Sequence, residues 1–203
     1  MTSPVSSSPL LQLPRELRYE IYDLLCRQEP KSYPFRQPPI SSIDRRAPPT
    51  PLLIACRYLY EEIRTYFLSK VTLRFVAQEI PRRDVDTASL TAVRQAKKVE
   101  LRLYWHLTPK RKEMDMSTWP YSMTGWLTDA VDMLVCEAKS LEGVTVSVMD
   151  LSQGVEWECK KTLLAPLQRL RGRARLRVGE VVEWEEATLR KRLEGFVRKI
   201  NSD

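Results

Sequence analysis

The chain has 203 residues, 43% hydrophobic and 29% charged, enough for one sizeable domain with a core and a water-facing surface. No stretch nears the roughly 18 apolar residues a bilayer-spanning helix needs, and "MTSPVSSSPL" lacks the basic flank and apolar run of a secretory signal. The net charge of +7 favours acidic partners without choosing among nucleic acid, an anionic membrane and an acidic protein surface.

Residues 1–10 are rich in Ser and Pro and read as a disordered terminus. A helix follows, with Pro14 near its first turn, where a missing N–H is harmless. Leu17, Ile21, Leu24 and Leu25 recur at spacings of three and four and form one apolar stripe, with Arg15, Arg18 and Glu20 outside it. Leu13 can fold back on that stripe as a staple. Between Glu29 and Pro51, seven prolines rule out a regular helix or a central strand, leaving an extended connector with polyproline II character. Leu52, Cys56, Leu59, Ile63 and Phe67 then mark a second helix, flanked by Tyr60 and Tyr66.

After Ser69 the period switches from 3.6 to 2 as Val71, Leu73 and Phe75 alternate with Thr72 and Arg74, which predicts a strand. The switch recurs at Val99–Leu103, Val144–Val148 and Ala174–Val178, each time after a helical segment (about 88–97, 124–140 and 160–171). Successive strands start 28, 45 and 30 residues apart, which suits a strand, a crossover helix and the next strand. Right-handed crossovers make such strands parallel neighbours. Polar residues at alternate positions leave one sheet face open to solvent.

The expected fold class is therefore α/β, α+β overall. A helical unit over 11–69, with the proline-rich insert 29–51, precedes an α/β repeat-like region over 70–203. That region is either a short leucine-rich-repeat-like parallel array or a two-layer sandwich. Leu189, Leu193, Phe196, Val197 and Ile200 give a last amphipathic helix, placed to cap the stack.

Two phrases carry a family resemblance. "LPRELRYEIYDLL" presents Leu13, Pro14, Glu16, Leu17, Arg18, Ile21, Tyr22, Leu24 and Leu25, and "LLIACRYLYEE" presents Leu52, Leu53, Cys56, Arg57, Tyr60 and Glu62. With the later "LLAPLQRLRG" and its alternating strand, they resemble fungal F-box-like proteins over about 11–180. The resemblance implies a non-catalytic interaction protein, a substrate-recognition subunit of a cullin-type ubiquitin ligase. It also implies that Leu13, Pro14, Leu17, Ile21 and Leu24 meet a Skp-type adaptor by a helix-in-groove contact. The plain alternative packs the same stripe on the Leu52–Phe67 helix.

Two basic features compete with this reading. As a strand, Arg171, Arg173, Arg175 and Arg177 would project from one face, either as a phosphate-binding row or as a solvated face salt-bridged to nearby glutamates. Lys110, Arg111 and Lys112 share a long loop, about 106–122, with nearby Trp105, Trp119, Tyr121 and Trp126; together they form a target-binding candidate. These features make a basic subunit of a nucleic-acid or ribonucleoprotein assembly the alternative function.

Cys26, Cys56, Cys136 and Cys159 form no CxxC pair and His106 is the only histidine, so reduced cysteines and no metal are expected. The sequence has no P-loop, GxGxxG or GxSxG and only 6 glycines, so neither catalysis nor a cofactor is expected. No membrane partner is expected, and the expected location is the nucleus or cytoplasm.

Overall fold

Alternation of apolar and polar residues at Leu73–Phe75, Val99–Leu103, Val144–Val148 and Leu176–Val178 builds four parallel strands of one sheet. The computed structural model describes residues 9–28, 40–77, 87–105, 119–151, 156–183 and 186–202, the side chains of 119–123 and 186 excepted. The N-terminal part runs α1 (Pro9–Gln12), α2 (Arg15–Cys26), β1 (Ile40–Ile43), α3 (Thr50–Leu53) and α4 (Arg57–Lys70). Next come β2 (Thr72–Val76), α5 (Thr87–Gln95), β3 (Lys98–Trp105), α6 (Trp119–Glu137) and β4 (Gly143–Asp150). The chain closes with α7 (Trp157–Leu164), a 3-10 helix (Ala165–Leu170), β5 (Arg175–Val182) and α8 (Glu186–Ser202).

The sheet order is β1-β2-β3-β4-β5, with β1 antiparallel to β2 and the rest parallel. Register puts Leu73, Val99, Val144 and Leu176 in one cross-strand row, and Phe75, Leu101, Val146 and Val178 in the next. Val93 of α5, Leu127 and Leu134 of α6, Leu164 of α7 and Leu167 of the 3-10 helix join these rows in the main core. Each such side chain contributes about 1.5–3 kcal/mol on full burial. The helices thus lie on one face, while Arg74, Tyr104, Arg175 and Arg177 line the other. The fold is mixed α/β, α+β overall.

Several elements depart from expectation. The helix predicted from Leu52 to Phe67 breaks at Ile54–Cys56, where Cys56 is fully extended (φ −163, ψ 160), and divides into α3 and α4. The middle of the proline-rich insert is the edge strand β1, whose Ile40 and Ile43 enter the main core, so the helical unit and the sheet interleave in sequence. The extended polyproline II reading covers 29–51: residues 29–39 lie outside the described residues, and the described remainder holds β1 and the start of α3. Part of the segment read as loose is helical, since α1 packs Leu10 and Leu11 against a second core of Tyr22, Leu59 and Ile63. One helix spans both cores: α4 gives Leu59 and Ile63 to the second and Leu68 to the main one.

As the sequence anticipates, α8 covers the outer edge of β5, burying Leu189, Leu193, Phe196, Val197 and Ile200. The Asn201 side chain also pairs with that edge. Its Oδ1 accepts from Leu176 N–H at 3.0 Å and its Nδ2 donates to Leu176 C=O at 2.9 Å, as a neighbouring strand would. An otherwise open edge is thereby closed.

Candidate functional site

Helix α2 has two faces, and the polar one points inward. Arg18, Tyr22 and Cys26, four residues apart, are buried, Arg18 and Tyr22 against α4. The stripe of Leu17, Ile21, Leu24 and Leu25 turns away from it. Leu17 is 45% and Leu24 64% exposed, Leu25 is also exposed, and Ile21 and Leu13 are half-buried. The stripe is present as predicted, but it does not pack as a core face on α4. Pro14 lies at the N-cap of α2 and is exposed. All five residues proposed for adaptor contact therefore lie at least partly at the surface.

Charge pairing explains this orientation. Arg18 donates from Nε to Glu62 Oε1 at 2.9 Å and from Nη2 to Glu62 Oε2 at 2.6 Å. Its Nη1 donates to the Leu13 carbonyl at 2.6 Å, tying the start of α2 to its own middle. Tyr22 Oη gives a further hydrogen bond to Glu62 Oε1 at 2.9 Å, and Tyr58 Oη one to Oε2 at 3.2 Å. The Arg18 hydrogen bond holds the Glu62 carboxyl below its ordinary range despite burial, with Tyr22 assisting. Farther along the same face, the Tyr19 and Tyr66 rings stack with centroids 4.0 Å apart. Tyr66 Oη donates to Asp23 Oδ2 at 2.8 Å, and Arg45 Nη1 donates to Oδ1 of the same carboxylate at 3.0 Å. Burial and the Asp23 hydrogen bond push the Tyr66 phenol up to about 12. With this face occupied by partnered polar groups, the leucines have only the outside left.

Exposed apolar side chains concentrate here. Among the described residues, six of the nine exposed large hydrophobics belong to the N-terminal helices and the turn between α3 and α4; the other three are Tyr104, Leu151 and Val182. Scattered single cases need no explanation, but Leu17 and Leu24 with half-buried Ile21 form a continuous strip on one helix.

The other candidate residues divide. Trp105 is not a surface residue: it lies on the core side of β3, 2% exposed, and cannot present its ring to a target. Lys110, Arg111, Lys112 and His106 lie outside the described residues. Trp119 and Tyr121 fall in the first turn of α6, which begins five residues before the expected start, and Trp126 is half-buried against the main core. The row of four arginines is shorter than expected. Arg171 and Arg173 sit in the turn around Gly172 (φ 70), where Arg173 Nη1 donates to the Val135 carbonyl at 2.8 Å, so only Arg175 and Arg177 project from the strand. The cysteines are all free, but only Cys26 is buried, its thiol pushed up to about 11 by burial and then by Asp23.

Sequence reasoning missed one cluster. Lys160 of α7 lies between Asp150, at the end of β4, and Glu183, just past β5, donating to Glu183 Oε1 at 2.9 Å. Burial works against its charge, yet the hydrogen bonds to Asp150 and Glu183 outweigh this and raise its pKa. The only sequence signal was Asp150 continuing the core-facing alternation of Val144, Val146 and Val148, where a carboxylate needs a partner.

Among the described residues, no group of His, Cys, Asp and Glu is placed to hold a metal, and no helix is long and apolar enough to cross a membrane. Comparison of the chain with protein-family models, curated proteins and solved structures finds no match in any of the three.

Proposed function

We propose that the chain is a non-catalytic adaptor of the F-box-like type, acting by bringing two macromolecules together. The leucine strip of α2 docks into a hydrophobic groove on a Skp-type adaptor of a cullin ligase, and the leucine-rich-repeat-like sheet region presents the target. The observation that carries this reading is the outward turn of Leu17 and Leu24, while Arg18, Tyr22 and Glu62 form the inner face. Helix-in-groove recognition needs apolar anchors at i, i+4 and i+7, which Leu17, Ile21 and Leu24 supply.

Co-expression with a Skp-type adaptor tests the reading, followed by the same experiment with Leu17→Asp and Leu24→Asp. Both side chains are exposed, so the variants are expected to fold with unchanged melting temperature and to lose the adaptor. Failure of the unmodified chain to retain any adaptor removes the reading. The nucleic-acid alternative rests on fewer cations than the sequence suggested, since Arg171 and Arg173 lie off the strand.

A further inference from the structure

The open face of the sheet separates into zones. On β2 and β3, Arg74 Nε donates to Glu100 Oε2 at 3.0 Å and Arg102 Nε to Glu100 Oε1 at 2.9 Å, so one carboxylate engages both guanidiniums here. Ser147 Oγ completes the set, donating to Glu100 Oε1 at 2.7 Å. The start of β3 and β5 differs. Lys98, Arg175 and Arg177 are exposed, and among the described residues none of them has an ion-pair partner. Register brings Lys98 opposite Gly143 and Gly143 opposite Arg175, with Thr145 opposite Arg177.

The strand between them is low. On this face β4 carries Gly143, Thr145 and Ser147, so a shallow trough runs along it between the longer side chains of β3 and β5. At its far end, Tyr104, Met149 and Val182 share one cross-strand row around a depression of about 50 Å³ that Arg102, Ser147 and Glu180 also line, with Tyr104 and Val182 exposed. Exposed cations thus lie at one end of the trough, and at the other an apolar row stands beside Arg102 and Glu180.

We propose that this trough binds an extended acidic peptide segment, with carboxylates on Lys98, Arg175 and Arg177 and an apolar side chain on Tyr104, Met149 and Val182. Spacing supports the occupant. Arg175 and Arg177 are two residues apart on a strand, about 6.6 Å, the same repeat as alternate side chains of an extended peptide. Guanidinium–carboxylate pairs are charge-assisted and directional, so alternate Glu or Asp residues fit this row. A nucleic-acid backbone fits less well, because the row of Tyr104, Met149 and Val182 suits an apolar side chain and not a phosphate. The site is separate from the strip on α2, and its test needs no adaptor.

The full-length chain is titrated into a fluorescein-labelled peptide carrying Glu at alternate positions and one terminal Phe, with anisotropy as the readout. Saturable binding is expected, and replacing each Glu by Gln in the peptide abolishes it. Arg175→Glu and Arg177→Glu each lower the affinity about tenfold or more, as expected when a charge-assisted pair is replaced by like-charge repulsion. Gly143→Tyr weakens binding to a similar degree without changing any charge, because an added Cβ meets only Arg175 O at 3.7 Å and the ring then fills the trough. Arg192→Glu, an exposed cation on α8, leaves binding unchanged. Thermal melts confirm that each variant is folded. The proposal is overturned if the Glu peptide does not bind, if Gly143→Tyr or the arginine variants bind it as the parent does, or if only a single-stranded oligonucleotide is bound.

Discussion

Arg18 and Glu62, separated by 44 residues in sequence, meet in a two-pronged ion pair that sets which way α2 faces. The pair is almost fully enclosed, with Arg18 7% and Glu62 8% exposed. An enclosed pair gives little net stability compared with a well-packed apolar replacement, yet removing one member leaves the other charged and dry. Glu62→Gln is therefore expected to destabilise the chain by about 3 kcal/mol, read from the urea midpoint. The triple change Arg18→Met, Glu62→Leu, Tyr22→Phe removes both charges and the buried one of the two phenols that hydrogen-bond Glu62, leaving only the exposed Tyr58 hydroxyl, and is expected to recover most of that loss. If it proves as unstable as Glu62→Gln, the pair is not what orients the helix.

The same pair has a pH signature. Glu62 is held below its ordinary carboxyl range, so its contribution is fully present above the unfolded value near 4.5 and disappears as pH falls through the lower folded value. Parent and Glu62→Gln stabilities are therefore expected to differ at neutral pH and to converge in acid below that value. Urea melts across this range check it, and a gap that stays constant contradicts the assignment.

The lysine between two carboxylates behaves in the opposite sense. Lys160 has a raised pKa, so its contribution is complete below the unfolded value of 10.5 and is lost as pH rises through the higher folded value. Lys160→Met strands the fully buried Asp150 and is expected to destabilise by about 3–5 kcal/mol. Asp150→Asn leaves the Lys160–Glu183 pair intact and is expected to cost less. The order of the two melting temperatures is the measurement: Asp150→Asn melting below Lys160→Met refutes the arrangement.

Strands β2 to β5 were legible because each buries one face in a helix-covered core, and that burial imposes a period of two directly on the sequence. The orientation of α2 was not. Leu17, Ile21 and Leu24 define a stripe, and Arg18, Tyr22 and Cys26 define another beside it; periodicity finds both without saying which faces the protein. The deciding fact, a carboxylate on α4 aimed at Arg18, exists only after folding. Strand β1 was hidden for another reason. Its four residues, ISSI, lie between proline-rich stretches and form a strand by pairing with β2, not by their own pattern. Trp105 was misread because its neighbours suggested a loop, whereas it continues the inward alternation of Leu101 and Leu103.

The clasp at the sheet edge has a separable role. Asn201→Ala removes both hydrogen bonds to Leu176 and leaves its N–H and C=O facing outward. A loss of about 1–2 kcal/mol is expected, since each such bond contributes about 0.5–1.5 kcal/mol net. The edge also becomes a template for another chain, so heating is expected to produce earlier aggregation by light scattering than the stability loss alone explains. Asn201→Gln, which keeps the amide on a longer stem, separates the effects: it restores aggregation resistance only if its amide reaches the strand.

Gly179 supplies the last test, of the bulge that shifts the register of β5 against β4 between Val146 and Val148. A Cβ at this position would overlap Ser147 Oγ and lie 2.6 Å from Thr145 Cγ2, so even alanine does not fit without movement. Ser147 is in no position to yield. It donates to Glu100 at 2.7 Å and accepts from Glu180 N–H at 3.1 Å, so moving it disturbs the Arg74–Glu100–Arg102 set as well. Gly179→Ala is expected to destabilise by about 1–3 kcal/mol, the usual range for overpacking. Ser147→Ala with Gly179→Ala relieves the hydroxyl overlap but leaves the Glu100 oxygen and the Glu180 N–H without their shared partner. The double variant is therefore expected to recover only part of the loss. Full recovery in thermal melts means that the hydroxyl is merely in the way, and that the hydrogen bonds through Ser147 add nothing to this face.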